Sequence, residues 1–347
     1  IAPRFVHADG TLAGSATGAW SGEVPAVWSP HNGLALLGVP SGSSGGAVLS
    51  VSDDHSVSVG YSFVSGVLPA AVRWSSGTPA YLGTGLANAS GVSGDGAVIT
   101  GHHVTFGGPT RAFRWTEGDG AVDLGTIGGG SSSWGRAISH DGGTIVGESG
   151  SMFISGPRQA FRWTAAGGMQ PLISPSPFWP STVATAVNSD GSVIAGRAEV
   201  GDFSGEFERG LFRWTLSGGM QYLGTLAPQP SAFDFEVFAQ AMSASGDVIV
   251  GYTEDYSDPP LAMQRAVYWS GGTGLVDLTG HLEGLGLNLG PYRLMTADAV
   301  SPDGRTIAGL ATTNGFDAVG YVVTNVPAPG AAALVLALPT LSRRRRL

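Results

Sequence analysis

This chain is predicted to be all-β, a seven-bladed β-propeller of four-stranded blades. Three observations predict it. The first is a hairpin phrase closing on glycine, written seven times: HADGTLAG (7–14), SDDHSVSVG (52–60), SGDGAVITG (93–101), SHDGGTIVG (139–147), NSDGSVIAG (188–196), SASGDVIVG (243–251) and SPDGRTIAG (301–309). The second is an aromatic phrase after each: AVWS (26–29), AVRWS (71–75), AFRWT (112–116), AFRWT (160–164), LFRWT (211–215), AVYWS (266–270) and AVGYVV (318–323). The third is that 1–324 keeps no convincing helical period. The aromatics Trp28, Trp74, Trp115, Trp163, Trp214, Trp269 and Tyr321 recur every 41 to 55 residues. Units of that size, each with one such aromatic, match sheets arranged radially.

Unit four shows the elements in order. Residues 135–139 form a short first strand. Asp141-Gly142 is a tight-turn signal of the two-residue kind, in which both central positions take positive φ. Residues 144–147 return. After a variable loop, 159–164 form a third strand, β-branched and aromatic in character. Gly167-Gly168 turns the chain into a fourth strand, 169–172. Ala137, Ala186, Ala241 and Ala299 are expected on the first strand beside the axis, where only small side chains fit. The glycines 14, 60, 101, 147, 196, 251 and 309 are expected to admit a neighbouring sheet. Each Trp is expected to wedge between adjacent sheets, burying roughly 150–250 Å². The preceding arginines, Arg73, Arg114, Arg162 and Arg213, are expected half buried, stacked or paired. Unit seven supplies strands at 297–301, 306–309 and 318–323 but no fourth. The last blade is therefore expected to be incomplete in this chain, closed by a strand upstream of Ile1.

Composition narrows the partners. The chain has 347 residues and a net charge of −9; setting aside the four arginines 343–346 leaves −13 on residues 1–342. No basic stripe offers itself to nucleic acid. All 17 basic residues are Arg; Gly 56 with Pro 21 is high, and the glycines recur at fixed places in the repeat and read as turns. With no cysteine there is no disulfide, thiolate metal site or thiol nucleophile. A start at Ile1 without Met reads as a processed or truncated product.

These phrases resemble the HAF-repeat proteins of bacteria over roughly residues 5–323. The resemblance rests on Ala112-Phe113-Arg114-Trp115-Thr116, on Gly-Gly-Met-Gln at 167–170 and 218–221, on Asp123-Leu124-Gly125-Thr126-Ile127-Gly128-Gly129 and on the Ser-x-Asp-Gly hairpins. Unit two departs with Asp54-His55 and unit six with Ser245-Gly246. The resemblance implies an extracytoplasmic repeat protein with no established chemistry.

The sequence divides into a repeat domain, 1–324, and a tail, 325–347. Val326, Pro327, Ala328, Pro329 and Gly330 precede an apolar run, 331–341, broken only by Thr340. Arg343, Arg344, Arg345 and Arg346 follow. The tail resembles a PEP-CTERM sorting signal, with Ala328 where the usual residue is Glu. The resemblance implies an exosortase-type membrane protease as partner and delivery to the cell envelope, outer surface or extracellular space. The run is read as a short apolar helix. About 12 residues are too few to span a bilayer, which takes roughly 20. The insertion is therefore transient, with the arginines on the cytoplasmic side. A short tail anchor is the alternative.

Residues common to all copies build the copy, so function is expected where the copies differ. The second-to-third and fourth-to-first loops share one face and vary most. Units four to six are richest there. The candidate binding residues are Trp134, Trp179, Asp202, Phe203, Glu206, Phe207, Glu208, Asp234, Phe235, Asp255 and Tyr256. Acids among aromatics suit sugar stacking with hydroxyl recognition, or weak Ca²⁺ binding; as solvated loops they would merely cap the sheets. His102 and His103, adjacent on a strand, point to opposite sides and do not chelate one metal. Asp9, Asp54, Asp95, Asp141, Asp190 and Asp303 are explained by turn chemistry. No G-x-S-x-G, H-E-x-x-H or P-loop occurs. First strands offer almost no carboxylate except Asp298, so the axial channel is expected neutral and lined by small residues. No catalytic residue, metal or cofactor is assigned. The favoured reading is an exported surface or matrix protein with a non-catalytic binding or structural role, its partner a glycan or matrix component. The alternative is a glycan-cleaving propeller enzyme with paired carboxylates in its pocket.

Overall fold

A computed structural model describes residues 2–6, 9–18, 22–29, 32–64, 68–83, 86–104, 108–151, 158–174, 181–201, 207–226, 235–255, 263–313, 318–324, 326 and 335–338. The hairpin phrase folds as its polar groups dictate. In unit four, Ser139 Oγ donates to Asp141 Oδ1 and accepts from the Thr144 N–H at 2.9 Å, while that carboxylate oxygen accepts from the Gly143 N–H at 2.8 Å. Ser52, Ser93 and Ser301 repeat the device. In unit five Asn188 Oδ1 takes over, accepting from the Val193 N–H at 2.9 Å.

The turn itself differs from the expected one. Ser139 N–H bonds to Thr144 O at 2.8 Å and Gly142 N–H to Ser139 O at 2.9 Å, so the loop holds four residues, not two. Only the glycine takes positive φ, 70° at Gly142 and 73° at Gly96, and the aspartate before it does not. This four-residue loop needs one left-handed position where the two-residue type I′ loop needs two. In unit two His55 fills it, at φ 59°.

Among the described residues the strands pair antiparallel in chain order within seven units: 2–36, 43–81, 86–123, 132–171, 181–224, 235–277 and 293–338. Units five and six are further linked by one parallel bridge, Arg209 to Glu236. The core lies between units, as one apolar cluster per neighbouring pair. Trp74, 1% exposed, packs among Ala13, Val48 and Val72 and donates its Nε1–H to Gly38 O at 2.6 Å. Trp115, Trp163, Trp214 and Trp269 take the same place against the unit before them. Val6, Leu12 and Trp28 of unit one pack on Ala299, Ala308 and Val322 of unit seven, so the succession of sheets closes on itself. The arginines beside these aromatics stack or bond as expected. Arg73 lies 5.7 Å from the Trp115 ring and Arg213 5.8 Å from Trp269, while Arg162 donates to Gly191 O at 3.3 Å and Thr144 Oγ1 at 3.2 Å.

Two expectations fail at the C-terminal end. The apolar tail does not form a helix over Val335–Leu338. That segment is a strand, antiparallel to Ala318–Val323, with Gly320 opposite Leu338 and Val323 opposite Val335. It is the fourth strand of unit seven, so the last sheet is complete within this chain and needs no strand from upstream of Ile1. Unpaired N–H and C=O groups on an edge strand favour pairing with any apolar segment in reach. The sheet thereby crosses the expected boundary at 324. A helix, Leu278–Gly284, also occurs where none is expected. Asp277 caps it, accepting from the Gly280 N–H at 3.0 Å, and Leu278 and Leu282 bury one face.

The second-strand glycines have a reason other than the expected one. A Cβ on Gly147 would lie 1.9 Å from Trp134 O, and one on Gly196 1.9 Å from Val183 O. Gly14, Gly60, Gly101, Gly251 and Gly309 are alike, at 1.8–2.0 Å from the first strand of their own sheet. They admit a β-bulge within the sheet, not a neighbouring sheet. The pairing slips between Pro3 and Phe5, Val48 and Ser50, Gly135 and Ala137, Ala184 and Ala186, and Ala239 and Ala241. In unit three it slips across Ser90. In unit seven the first strand is interrupted between Arg293–Leu294 and Ala299–Val300.

Candidate functional site

A bulge leaves one residue unpaired and re-aims its side chain. Here the unpaired residues are Arg4, Leu49, Ser90, Arg136, Thr185 and Gln240, with Asp298 at the matching place in unit seven. All seven line one cavity of about 470 Å³. Tyr61, Glu148 and Arg197, each directly after a bulge-facing glycine, line it too, as do Asn88, Arg158 and Phe238. This is an axial channel to which every unit contributes. Towards the short turns, Val6, Val51, Val92, Ile138, Val187, Met242 and Val300, one from each unit, line a second, smaller cavity of about 160 Å³. The short-turn side is laced by backbone bonds between units: Asp53 N–H to Gly94 O, Gly94 N–H to His140 O, Asp141 N–H to Ser189 O, Ser189 N–H to Ala244 O and Ala244 N–H to Pro302 O.

The channel is therefore neither neutral nor lined by small residues, contrary to expectation. The alanines 137, 186, 241 and 299 turn away from it into the clusters between sheets. Its charge is organised. Glu148 is fully buried. Arg136 Nη2 donates to Glu148 Oε1 at 2.6 Å and Arg158 Nη1 to the same oxygen at 3.0 Å. Glu236 likewise accepts from Arg197 and, at 2.6 Å, from Arg209. Two guanidiniums on each carboxylate satisfy the charge that burial would otherwise penalise. Arg158 also covers the Trp134 ring at 4.9 Å and Arg197 the Phe238 ring at 5.3 Å. Asp298 is buried and accepts from Thr296 Oγ1 at 2.8 Å; burial pushes its carboxyl up to about 6, against that hydrogen bond and the field of Arg4. Tyr61 donates to Glu23 Oε2 at 3.0 Å, and burial together with that carboxylate pushes its phenol up to about 12. His102 is held down at about 4 by burial, then by Arg136 and His103, so it is neutral at pH 7.

Among the described residues, the candidate binding residues lie on strands. Trp134 is in the strand Ser132–Ile138, not in a loop. Glu208, exposed in Phe207–Thr215, accepts from Thr225 Oγ1 at 2.7 Å. Asp255 ends Val248–Asp255, lies 3.7 Å from Arg265 and pairs in register with Phe235. Phe207 pairs with Gly201. These residues belong to strands because the first, second and third strands run further out than the repeat phrases show. Trp179, Asp202, Phe203, Glu206, Asp234 and Tyr256 lie outside the described residues. Of the sorting motif, Val326 is described. It is 1% exposed, and its N–H donates to Arg305 O at 2.9 Å, which draws it into unit seven. Pro327, Ala328, Pro329, Gly330, Arg343, Arg344, Arg345 and Arg346 lie outside the described residues.

No family model and no curated protein matches the chain. Solved structures do. A prolyl endopeptidase is matched at a TM-score of 0.61 and 10% identity, over 95% of this chain and 48% of that one. The chain thus spans about half that protein's length. The β-propeller domain of the Trilobed protease from Pyrococcus furiosus is matched at 0.55 and 11% identity, over 92% of this chain and 91% of that one. The fold is a β-propeller. An oligogalacturonate lyase from Vibrio parahaemolyticus is matched at 0.58 and 12% identity, over 94% of this chain and 89% of that one. At these identities the likeness extends to the fold alone.

Proposed function

We propose that this chain is an exported surface or extracellular-matrix protein whose propeller is a non-catalytic binding module, and that an anionic ligand, such as an acidic glycan, enters the axial channel. One observation carries the reading. Arg4, Arg136, Arg158 and Arg197 converge on the channel of a protein whose net charge is −9, against Glu148 and Asp298 as its lining carboxylates. An excess of positive charge in a concave site focuses the field on an anion. Glu148 is engaged by two guanidiniums, as a structural ion pair is. The test is a glycan array on the purified chain, with and without Ca²⁺, followed by mass spectrometry of the bound glycans. Acidic glycans are expected to bind, more weakly at high salt, and to be recovered intact. Binding of neutral glycans alone would contradict the reading.

Asp298 favours a second reading, a glycan-cleaving propeller enzyme. A buried carboxyl raised to about 6 is poised as a general acid or base. The oligogalacturonate lyase likeness gives this a substrate to try, and shortened products would establish it.

For the tail we propose sorting by an exosortase-type membrane protease, supported by Pro327 and Pro329, the apolar run and the terminal arginines. Membrane insertion then competes with the strand Val335–Leu338. Mass spectrometry of protein recovered from the native cell surface should find the tail removed; Leu347 intact on most molecules would favour a permanent anchor.

A further inference from the structure

We infer that the channel's ligand is a hydroxylated acid of the sugar-acid class, its carboxylate held by Arg4 and one of its hydroxyls held between Asn88 and His102. The inference rests on the anionic-ligand reading above and sharpens it.

The arginines of the channel are not equivalent. Arg136 and Arg158 are committed to Glu148, and Arg197 to Glu236. Arg4 is exposed on its bulge and makes no hydrogen bond or ion pair among the described residues. Its field reaches Asp298 and Tyr61, which line the same cavity. A guanidinium with its donors free suits a carboxylate, which it can grip through two parallel hydrogen bonds.

Asn88 and His102 supply the second contact. They stand directly opposite each other in the pairing of Ile99–Val104 with Leu86–Val92, so their side chains share one face. Asn88 Oδ1 and His102 Nδ1 are both buried and neither has a partner. Asn88 lines the channel, and Arg136 of the next unit acts on His102. Two unsatisfied polar atoms side by side are costly unless something bridges them. A carboxylate has no proton for Asn88 Oδ1. An ammonium group would meet the field of Arg136. A hydroxyl donates to one atom and accepts from the other. Ser90, Thr185 and Gln240 add neutral hydroxyls and an amide to the same wall, as a polyhydroxylated ligand requires. The volume of about 470 Å³ is in the range of small-ligand sites.

The test is isothermal titration of the full chain with digalacturonate, with neutral digalactose and with tricarballylate, an acid without hydroxyls. Digalacturonate is expected to bind tightest. Arg4→Gln should weaken both acids by roughly 10- to 100-fold, as expected for a charged hydrogen bond. Asn88→Leu should weaken digalacturonate about tenfold and leave tricarballylate unchanged. It should not lower the thermal midpoint of the free protein, because it removes an unsatisfied acceptor. His102→Phe serves as a second variant with the same expected pattern. Equal binding of the two acids, or equal losses for both in Asn88→Leu and His102→Phe, would overturn the hydroxyl site and leave the anionic reading standing. Failure of both acids to bind would overturn the hydroxyl site and the anionic reading together.

Discussion

Replacing Asp298 with asparagine probes the electrostatics of the channel through stability. The carboxyl is buried, and burial raises it from 3.8 to about 6. A shift of that size corresponds to about 3 kcal/mol. The folded state holds this proton more tightly than the unfolded chain does. The associated stability is therefore complete below pH ~4 and is lost as the pH rises through about 6. The turn aspartates act in another window and with the opposite sign. The Ser56 N–H and Ser52 hydroxyl hold Asp54 at about 2, and Asp95, Asp190 and Asp303 are also lowered. Their contribution is present above the ordinary carboxylate range and is lost only on further acidification. The substituted amide would keep an oxygen for Thr296 Oγ1 while removing the charge. Scanning calorimetry of both proteins from about pH 3.5 to 8 should give coincident midpoints near pH 4. Above that the Asp298→Asn curve should rise over wild type, by about 3 kcal/mol at neutral pH, or roughly 4 °C. Parallel curves, or a wild-type protein that gains stability relative to the variant between pH 4 and 6, would refute the reasoning.

Other outcomes follow from single contacts. Gly147→Ala forces a Cβ to 1.9 Å from Trp134 O and should cost more than about 3 kcal/mol, whereas Gly118→Ala, with nothing within 4 Å, should stay within about 0.5; equal midpoints in thermal melts would contradict the bulge account. His55→Gly relieves a left-handed residue at φ 59° and should add about 1 kcal/mol in urea unfolding. Deleting 331–347 uncovers the edge of Ala318–Val323. The truncated protein should melt lower and self-associate in sedimentation velocity; a monomer with an unchanged midpoint would argue against the tail strand.

Much of the fold was legible because it is local and repeated. Hairpin polar residues, apolar alternation and one wedge aromatic per copy each report on a few neighbouring positions. The tail was not legible: an apolar run of this length has the same composition as helix or as strand, and only the open edge of Ala318–Val323 decides between them. The channel was missed for a related reason. A bulge is visible only when two strands are set side by side, and within one copy Arg136 or Gln240 looks like any polar residue on a short strand. The signal lay across copies. The bulge position of the first strand reads Arg4, Leu49, Ser90, Arg136, Thr185, Gln240 and, at the matching place, Asp298, and the position after the glycine reads Ser15, Tyr61, His102, Glu148, Arg197, Tyr252 and Leu310. Their neighbours keep one character throughout, so this variation in the interior of the repeat marked the site better than the variable loops did.

The central claim is that seven units close about one axis, and pulsed dipolar spectroscopy tests it directly. The protein has no cysteine, so spin labels attach only where introduced. Cysteines at Ser76, Leu216 and Gly271 place labels at matching turns of units two, five and six. In a closed ring of seven, unit six is four steps from unit two one way and three the other, the same shorter path as unit five. The 76–216 and 76–271 distances should therefore be equal. A 76–271 distance clearly shorter than 76–216 would mean six units, and a clearly longer one would mean an open row of sheets; either would contradict the account.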